Sequence, residues 1–406
     1  MLTIQLAIWN ANGLSKHKNE LQAFLRDQNI DIMLISETHF TKKNYIKFNR
    51  YNVYHTMHPD GTAHGGSAIV IKNNIKHHVI NEYRTEKIQA TTVVVEEWSG
   101  PLTISAVYCP PKHAPKQDEF EQYLKILGNR FIAGGDFNAK HPQWGSRLIS
   151  PKGRELWEAM KHLNVEPMST GEPTYWPTDR RKIPDVIDFY ITKSISKKYL
   201  KVKSCLDLSS DHSPVLLEFS SKVIESEKPC VLCSKKTNWE YYKTQVEKTL
   251  NMFLPLKTEN DITEAVEHFN QCIQQAAWNA TPANSTMRNA DESSALVRQK
   301  IAEKRQIRKQ WQITRSPELK RKLNKAIKNL HSLLKSEAND NIQDYLQTLG
   351  PTQGTDYSLW KATKRLKQPQ ISIPPLRLSD GVWARSAQEK AEMFALTSDG
   401  SFHSSS

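Results

Sequence analysis

The first 220 of the 406 residues predict an α+β fold: two β-sheets stacked as a sandwich and faced by helices, with a helical, basic region after them. Three observations carry this. Short β-branched and aromatic runs recur along the segment, as half-buried or buried strands require. Only a few stretches between them place apolar residues at helical spacing. Glycine and proline pairs (Gly65-Gly66, Pro110-Pro111, Gly134-Gly135) punctuate the joins, where tight connections need them. Many strands with few helices are best buried as layers.

The elements follow in order. Runs at 4–9, 31–36, 67–71, 92–95, 102–108, 131–133, 186–191 and 215–219 read as strands, and 19–28, 119–127 and 152–163 as helices. At 220–236 the composition turns to Ser, Lys and Glu, which predicts a linker over 221–238. Residues 239–346 form the helical basic region. Within it 241–253 and 261–280 read as helices, and 293–346 as one or two long basic helices broken near Ser316-Pro317. Residues 347–406 read as a mostly irregular tail with a short helix at 387–396. No repeat is evident.

Length favours at least two structural units. The start at Met1 shows no basic-then-apolar leader, and no apolar run approaches the roughly 18 residues of a membrane span, so a soluble, intracellular protein without a membrane partner is expected. Five scattered cysteines fit reduced thiols, and the lone Cys230-x-x-Cys233 pair lacks the second pair of a zinc site. The net charge of +13 points to a polyanion. Residues 1–220 hold 28 Lys/Arg against 23 Asp/Glu, whereas 298–335 hold 13 against two, so the excess lies mostly in that segment.

Acids and amides recur where apolar runs stop. Asn10 and Asn12 follow the first strand, Glu37 the second, and Tyr108 ends another. Asp136 and Asn138 sit in Gly-Gly-Asp-Phe-Asn, and Asp211 and His212 in Ser-Ser-Asp-His-Ser-Pro. Singly, each reads as a turn, cap or rim residue. Gathered at one edge of the sandwich they make a set of hard oxygen donors with one imidazole, suited to Mg²⁺ rather than zinc. Phosphodiester hydrolysis needs that set: charge neutralisation, a carboxylate to take a proton from water, and donors for the transition state. Asp188, in Val-Ile-Asp-Phe-Tyr-Ile, is expected to point inward from mid-strand and to need a partner, for which His212 is the natural choice.

Taken in order, Trp-Asn-Ala-Asn-Gly-Leu, Ser-Glu-Thr-His, Gly-Gly-Asp-Phe-Asn, Pro-Asp-Val-Ile-Asp-Phe and Ser-Asp-His-Ser-Pro resemble the endonuclease/exonuclease/phosphatase superfamily over residues 1–220. The stretches at 65–72, 139–146 and 184–189, with Leu-Arg-Leu-Ser-Asp-Gly at 376–381 and Glu-Lys-Ala-Glu-Met-Phe-Ala at 389–395, look like the jockey clade of non-LTR retrotransposons. The resemblance implies a four-layered α/β sandwich of the DNase I kind with its site at one end. It implies that Glu37 ligates the metal (Mg²⁺, with Mn²⁺ as the alternative) beside Asn10 and Asn12, with Asp211 at or next to it. Asp136 would be the base or orient the water, Asn138 would position the scissile phosphate, Tyr108 and His212 would hold phosphate oxygens, and Asp188 would pair with His212. Asn12 stands where some repair members have Asp, which leaves a direct metal bond from it open.

The implied function is nicking of double-stranded DNA in the nucleus after cytoplasmic synthesis, leaving a 3′ hydroxyl that primes reverse transcription. The polymerase motifs lie outside this sequence, so a truncated element protein is expected. Rival readings are an apurinic-site endonuclease, a small-molecule phosphatase of the same superfamily, and an inactive nucleic-acid-binding remnant. Two basic features are expected to meet nucleic acid. Arg180, Arg181 and Lys182 form a hairpin tip that could instead be a solvated turn. The segment 298–335, a candidate contact for element RNA, could instead be a spacer, since Ala302, Ile307, Trp311, Leu319, Leu323, Ile327, Leu330 and Leu334 recur near helical spacing.

Overall fold

The computed structural model describes residues 3–224 apart from 44–45, 81 and 98; 237–281 apart from 252–253 and 255; 294–347; and the short stretches 376–377, 383–384 and 389–392. Cys230, Cys233, most of the linker and most of the tail lie outside the described residues. Two compact units divide the chain: Met1–Ile224 together with Asp291–Ser406, and Glu225–Ala290.

In the first unit the strands are β1 (Thr3–Asn10), β2 (Ile32–Ser36), β3 (Tyr51–Thr56), β4 (Ser67–Lys72), β5 (His77–Val79), β6 (Tyr83–Arg84), β7 (Gln89–Glu97), β8 (Gly100–Tyr108), β9 (Phe131–Asp136), β10 (Glu166–Met168), β11 (Asp188–Lys193), β12 (Leu200–Ser204) and β13 (Val215–Ser220). The helices beside them are α1 (Lys18–Asp27), α2 (Gln117–Ile126) and α3 (Pro151–Leu163). One sheet runs β12-β13-β1-β2-β4-β3; the other runs β10-β11-β9-β8-β7-β5, with β6 also paired to β7.

Side-chain alternation at period two explains the layering. Along β1, Ile4, Leu6 and Ile8 face the second sheet and meet Val93, Leu102, Ile104 and Ile132. The intervening Ala7 and Trp9 face the other way, onto Leu21, Phe24 and Leu25 of α1. Phe131 and Ala133 of β9 likewise turn outward to Phe120 and Leu124 of α2 and Leu156 and Met160 of α3. The result is the four-layered α/β sandwich of the DNase I kind, helix on sheet on sheet on helix.

Two parallel pairs decide where the site forms. β1 lies parallel to β2 and β8 parallel to β9, so in each sheet two strands end at the same edge. Gly135 draws the ends together. Its φ is +150°, and a Cβ there would lie 2.0 Å from the Val107 carbonyl oxygen, so only glycine allows β9 to approach β8 this closely.

After this sandwich the chain forms two pairs of helices. In the second unit, α4 (Trp239–Thr249) packs with α5 (Glu259–Ala280), capped by Asn238 and Thr258. In the first unit, α6 (Ala295–Thr314) and α7 (Pro317–Gln347) form an antiparallel arm that breaks at Arg315-Ser316, as Pro317 predicts. Leu330 and Leu334 of α7 and Val297 of α6 bury against Ala23 of α1. The apolar seam of α6 differs from the one expected. Val297, Lys304, Arg308 and Trp311 are buried, whereas Ala302 is exposed and Ile307 only half-buried. No helix among the described residues is long and apolar enough to cross a membrane.

Candidate active site

The strand ends converge as the sequence predicted. In register, Asn10 of β1 faces Ser36 of β2, and Asp136 of β9 lies between Tyr108 of β8 and Asp188 of β11. Ser36 ties the sheets to each other: its hydroxyl donates to the Val107 carbonyl at 2.8 Å and accepts from the Asp136 backbone N–H at 3.0 Å. The Asn10 amide then bridges two acids, donating to Glu37 Oε1 at 3.0 Å and Asp136 Oδ2 at 2.8 Å. Asn138 also donates to Asp136, from its backbone N–H and from its amide at 2.8 and 2.9 Å. Glu37, Asn12 and Asn138 hold left-handed backbone (φ +52°, +44° and +46°), a strained conformation that turns each side chain at the strand's end.

Asp188 needs one correction. It opens β11 instead of lying mid-strand, because residues 186–187 remain outside the sheet. It is buried and bonds His212 Nδ1 through Oδ2 at 2.8 Å, the pairing expected, while its Oδ1 has no hydrogen-bond partner. Thr174 holds its backbone, its hydroxyl accepting from the Ile187 and Asp188 N–H groups. Ligand atoms of Asp136, Asp188 and His212 lie within 4.8 Å of one another.

The electrostatics follow from that crowding. Burial raises the Asp136 carboxyl to about 8, reinforced by the Asp188 and Glu37 carboxylates. Burial disfavours the His212 imidazolium, but Asp188's charge and hydrogen bond outweigh it and raise His212 to about 10. Glu37 moves the other way: burial raises it, and hydrogen bonds from His39 and Asn10 more than compensate. The Tyr108 hydroxyl, bonded to Glu37, is held strongly in its protonated form by burial and that neighbour. Two buried carboxylates, Asp136 and Asp188, thus crowd the His212 imidazole with the half-buried Glu37 beside them, and one Asp188 oxygen is left without a donor. Such a donor set fits a hard divalent cation.

Not every expected residue enters this cluster. Asn12 is exposed, and its backbone N–H donates to Asn10 Oδ1. Asp211 is half-buried beyond the cluster, where its charge acts on His212, Arg308 and Lys320. Arg180, Arg181 and Lys182 are exposed at the tip of a loop rooted by isolated bridges of Tyr175 to Asp185 and to His212. Supports that sequence reasoning missed are Ser36, Thr174 and Ser210, whose hydroxyl donates to the Asn10 carbonyl at 2.7 Å. Hydroxyl residues inside or beside the motifs were their only signal.

Fold and site together define an endonuclease/exonuclease/phosphatase-type domain. Residues 102–216 match the family described as endonuclease-reverse transcriptase. The chain is 33% identical over 398 residues to the RNA-directed DNA polymerase from mobile element jockey of Drosophila melanogaster, covering 97% of this chain and 43% of that protein. A probable RNA-directed DNA polymerase from transposon X-element of the same species is also 33% identical, with 97% and 44% covered. The chain therefore spans less than half the length of the curated relatives it matches. Among solved structures it is similar to the endonuclease domain of TRAS1, a telomere-specific non-LTR retrotransposon (21% identity, 54% of this chain and 98% of that one, TM-score 0.44). It is also similar to the AP endonuclease LMAP from Leishmania major (14% identity, 54% and 88% covered, TM-score 0.46). Over nearly all of its length the chain is similar to jockey-type non-LTR elements, and its first 220 residues carry an endonuclease/exonuclease/phosphatase-type domain like theirs.

Proposed function

We propose that this chain is a divalent-metal-dependent endonuclease that nicks double-stranded DNA. The observation that carries the reading is the buried Asp136–Asp188–His212 cluster beside Glu37. Glu37 would hold the cation, Mg²⁺ or Mn²⁺, with Asn10 beside it and Asn12 and Asp211 as the outlying candidates. When bound, the cation supplies charge neutralisation for a phosphate and its departing oxygen.

The residues supply the rest. A water oxygen bonds to phosphorus while the P–O3′ bond breaks and the departing O3′ takes a proton from solvent, leaving a 5′ phosphate and a 3′ hydroxyl. In its ionised form, which a bound cation would favour, Asp136 takes the water's proton. Asn10 and Asn138 fix that carboxylate's orientation. His212, kept cationic by Asp188, stabilises the charge that builds on the phosphate oxygens, and Tyr108 and Asn138 donate to them as well. Arg180, Arg181 and Lys182 would position the duplex through its phosphates or a narrow groove, and the exposed Lys309, Arg321, Lys322, Lys325 and Lys328 would extend the contact to DNA or to the element's RNA. By its family the nick would take place in the nucleus, after synthesis in the cytoplasm, and would prime reverse transcription by the polymerase of complete elements.

The test is nicking of supercoiled plasmid by the full chain, with Mg²⁺ or with chelator, beside Glu37→Ala and His212→Ala. Metal-dependent relaxed circles lost in both variants are expected. No nicking by folded wild type would point instead to an inactive remnant that binds nucleic acid.

A further inference from the structure

The loop 205–214 carries Asp211 and His212 and has no regular secondary structure, so its buried backbone carbonyls need partners from elsewhere. Side chains of α6 supply them. Arg308 Nη1 donates to the Leu208 carbonyl, and Nη2 donates to the carbonyls of Ser210 and His212 at 3.1 Å each and to the Ser213 hydroxyl at 3.4 Å. One turn earlier, the Lys304 ammonium donates to the Asp207 carbonyl, to the Ser209 hydroxyl at 3.2 Å and to Glu20 of α1 at 2.7 Å. Both cations are buried (Lys304 1% and Arg308 3% exposed), so neither is available to a nucleic-acid phosphate. The expectation that the segment's basic residues face nucleic acid or solvent fails at these two.

We propose that Arg308 is a positioning residue of the endonuclease reaction, holding the backbone on both sides of Asp211 so that His212 stays against Asp188. The inference rests on the nuclease reading above. A guanidinium suits the task because its planar fork reaches three carbonyls of one loop at once, which an ammonium cannot do. Catalytic groups tolerate little displacement, since a shift of about 1 Å can cost about 10²-fold in rate. Arg308 touches no substrate, so its loss should lower kcat and leave the KM for DNA unchanged. An arginine that grips phosphate would do the reverse.

The experiment uses the full chain as wild type, Arg308→Met and Arg308→Lys, with nicking rates measured across plasmid concentration and thermal melting of each protein. Arg308→Met is expected to lose about 10²-fold in kcat with an unchanged KM, and Arg308→Lys to lose less. Wild-type kcat in either folded variant, or a loss confined to KM, overturns the proposal. If Arg308→Met does not fold, Arg308→Lys decides by the same split. Hydrogen exchange of the 208–213 amides supplies a readout independent of activity: the folded variant should exchange them faster, and unchanged protection overturns the proposal. If wild type does not nick, the nuclease reading fails, and that exchange still decides whether Arg308 holds the loop.

Discussion

Glu20 shows how much the arm asks of single residues. Its carboxylate is buried in the first turn of α1, facing the loop 205–214, with His17 Nδ1 at 3.3 Å, His331 Nε2 at 3.2 Å and Lys304 Nζ at 2.7 Å around it. Burial alone would raise its pKa, but Lys304 and the two histidines overcome that and hold it well below the ordinary 4.5. The sign of the linkage follows. A carboxyl with a depressed folded-state pKa contributes stability that is fully present above its unfolded value and is lost as pH falls through the folded one. Urea midpoints measured from pH 7 down to about 3 should therefore fall below about pH 4.5, and Glu20→Gln should flatten that acid limb. Equal acid limbs in the two proteins would remove Glu20 from the account. The sequence made the chemical residues readable, because acids and amides at strand ends stand out from apolar runs. Their supports were not readable: Ser36 and Thr174 act through ordinary hydroxyls whose partners lie in other strands.

Among the elements, every strand and helix expected in the first 220 residues forms, since each buries a long, periodic apolar face. β3, β5, β6, β10 and β12 were not anticipated. They are short or edge strands whose side chains are mostly half-buried, so their polar residues mask the alternation. The seam of α6 was misjudged because Lys304 and Arg308 occupy buried positions. Val297, Ile301, Lys304, Arg308 and Trp311 in fact share one face, and two basic residues inside such a stripe were the signal to read. The loop bearing Arg180, Arg181 and Lys182 belongs to the same scale. Arg315, at the break between α6 and α7, donates to the Pro177 and Asp179 carbonyls and stacks over Trp311 and Trp176, which fixes the base of that loop and leaves its tip exposed. Replacing all three tip residues by Ala should raise KM for DNA, leave kcat unchanged and reduce the salt dependence of binding by about one unit of slope for each phosphate that is no longer neutralised. Filter binding across salt concentration checks it, and an unchanged slope would make the tip a solvated turn.

At the scale of the molecule, residues of the first unit that lie far apart in sequence pack together. The arm shares a core with α1 through Leu330, Leu334 and Val297, and it shares buried charge with the loop before β13. Leu330→Ala should cost about 2–5 kcal/mol, as deletion of a fully buried leucine does. Calorimetry should show that loss in the same transition that Leu217→Ala lowers. A separate, earlier transition for Leu330→Ala would mean that the arm unfolds alone. The charge census could not reveal this, because thirteen basic residues in 298–335 look alike until the fold buries some and exposes others.

α6 grips the loop 205–214 chiefly by its carbonyl oxygens, which every amino acid carries alike. That part of the grip is blind to the loop's own sequence, unlike the bonds to the Ser209 and Ser213 hydroxyls: Leu208 and Ser210 can change identity without giving up the bonds from Arg308 to their backbone. Transplanting the sandwich into another protein is the less forgiving exercise. A cassette cut after β13 would carry its acids, amides and imidazole intact, yet leave the carbonyls of 207, 208 and 210 without the α6 side chains that answer them.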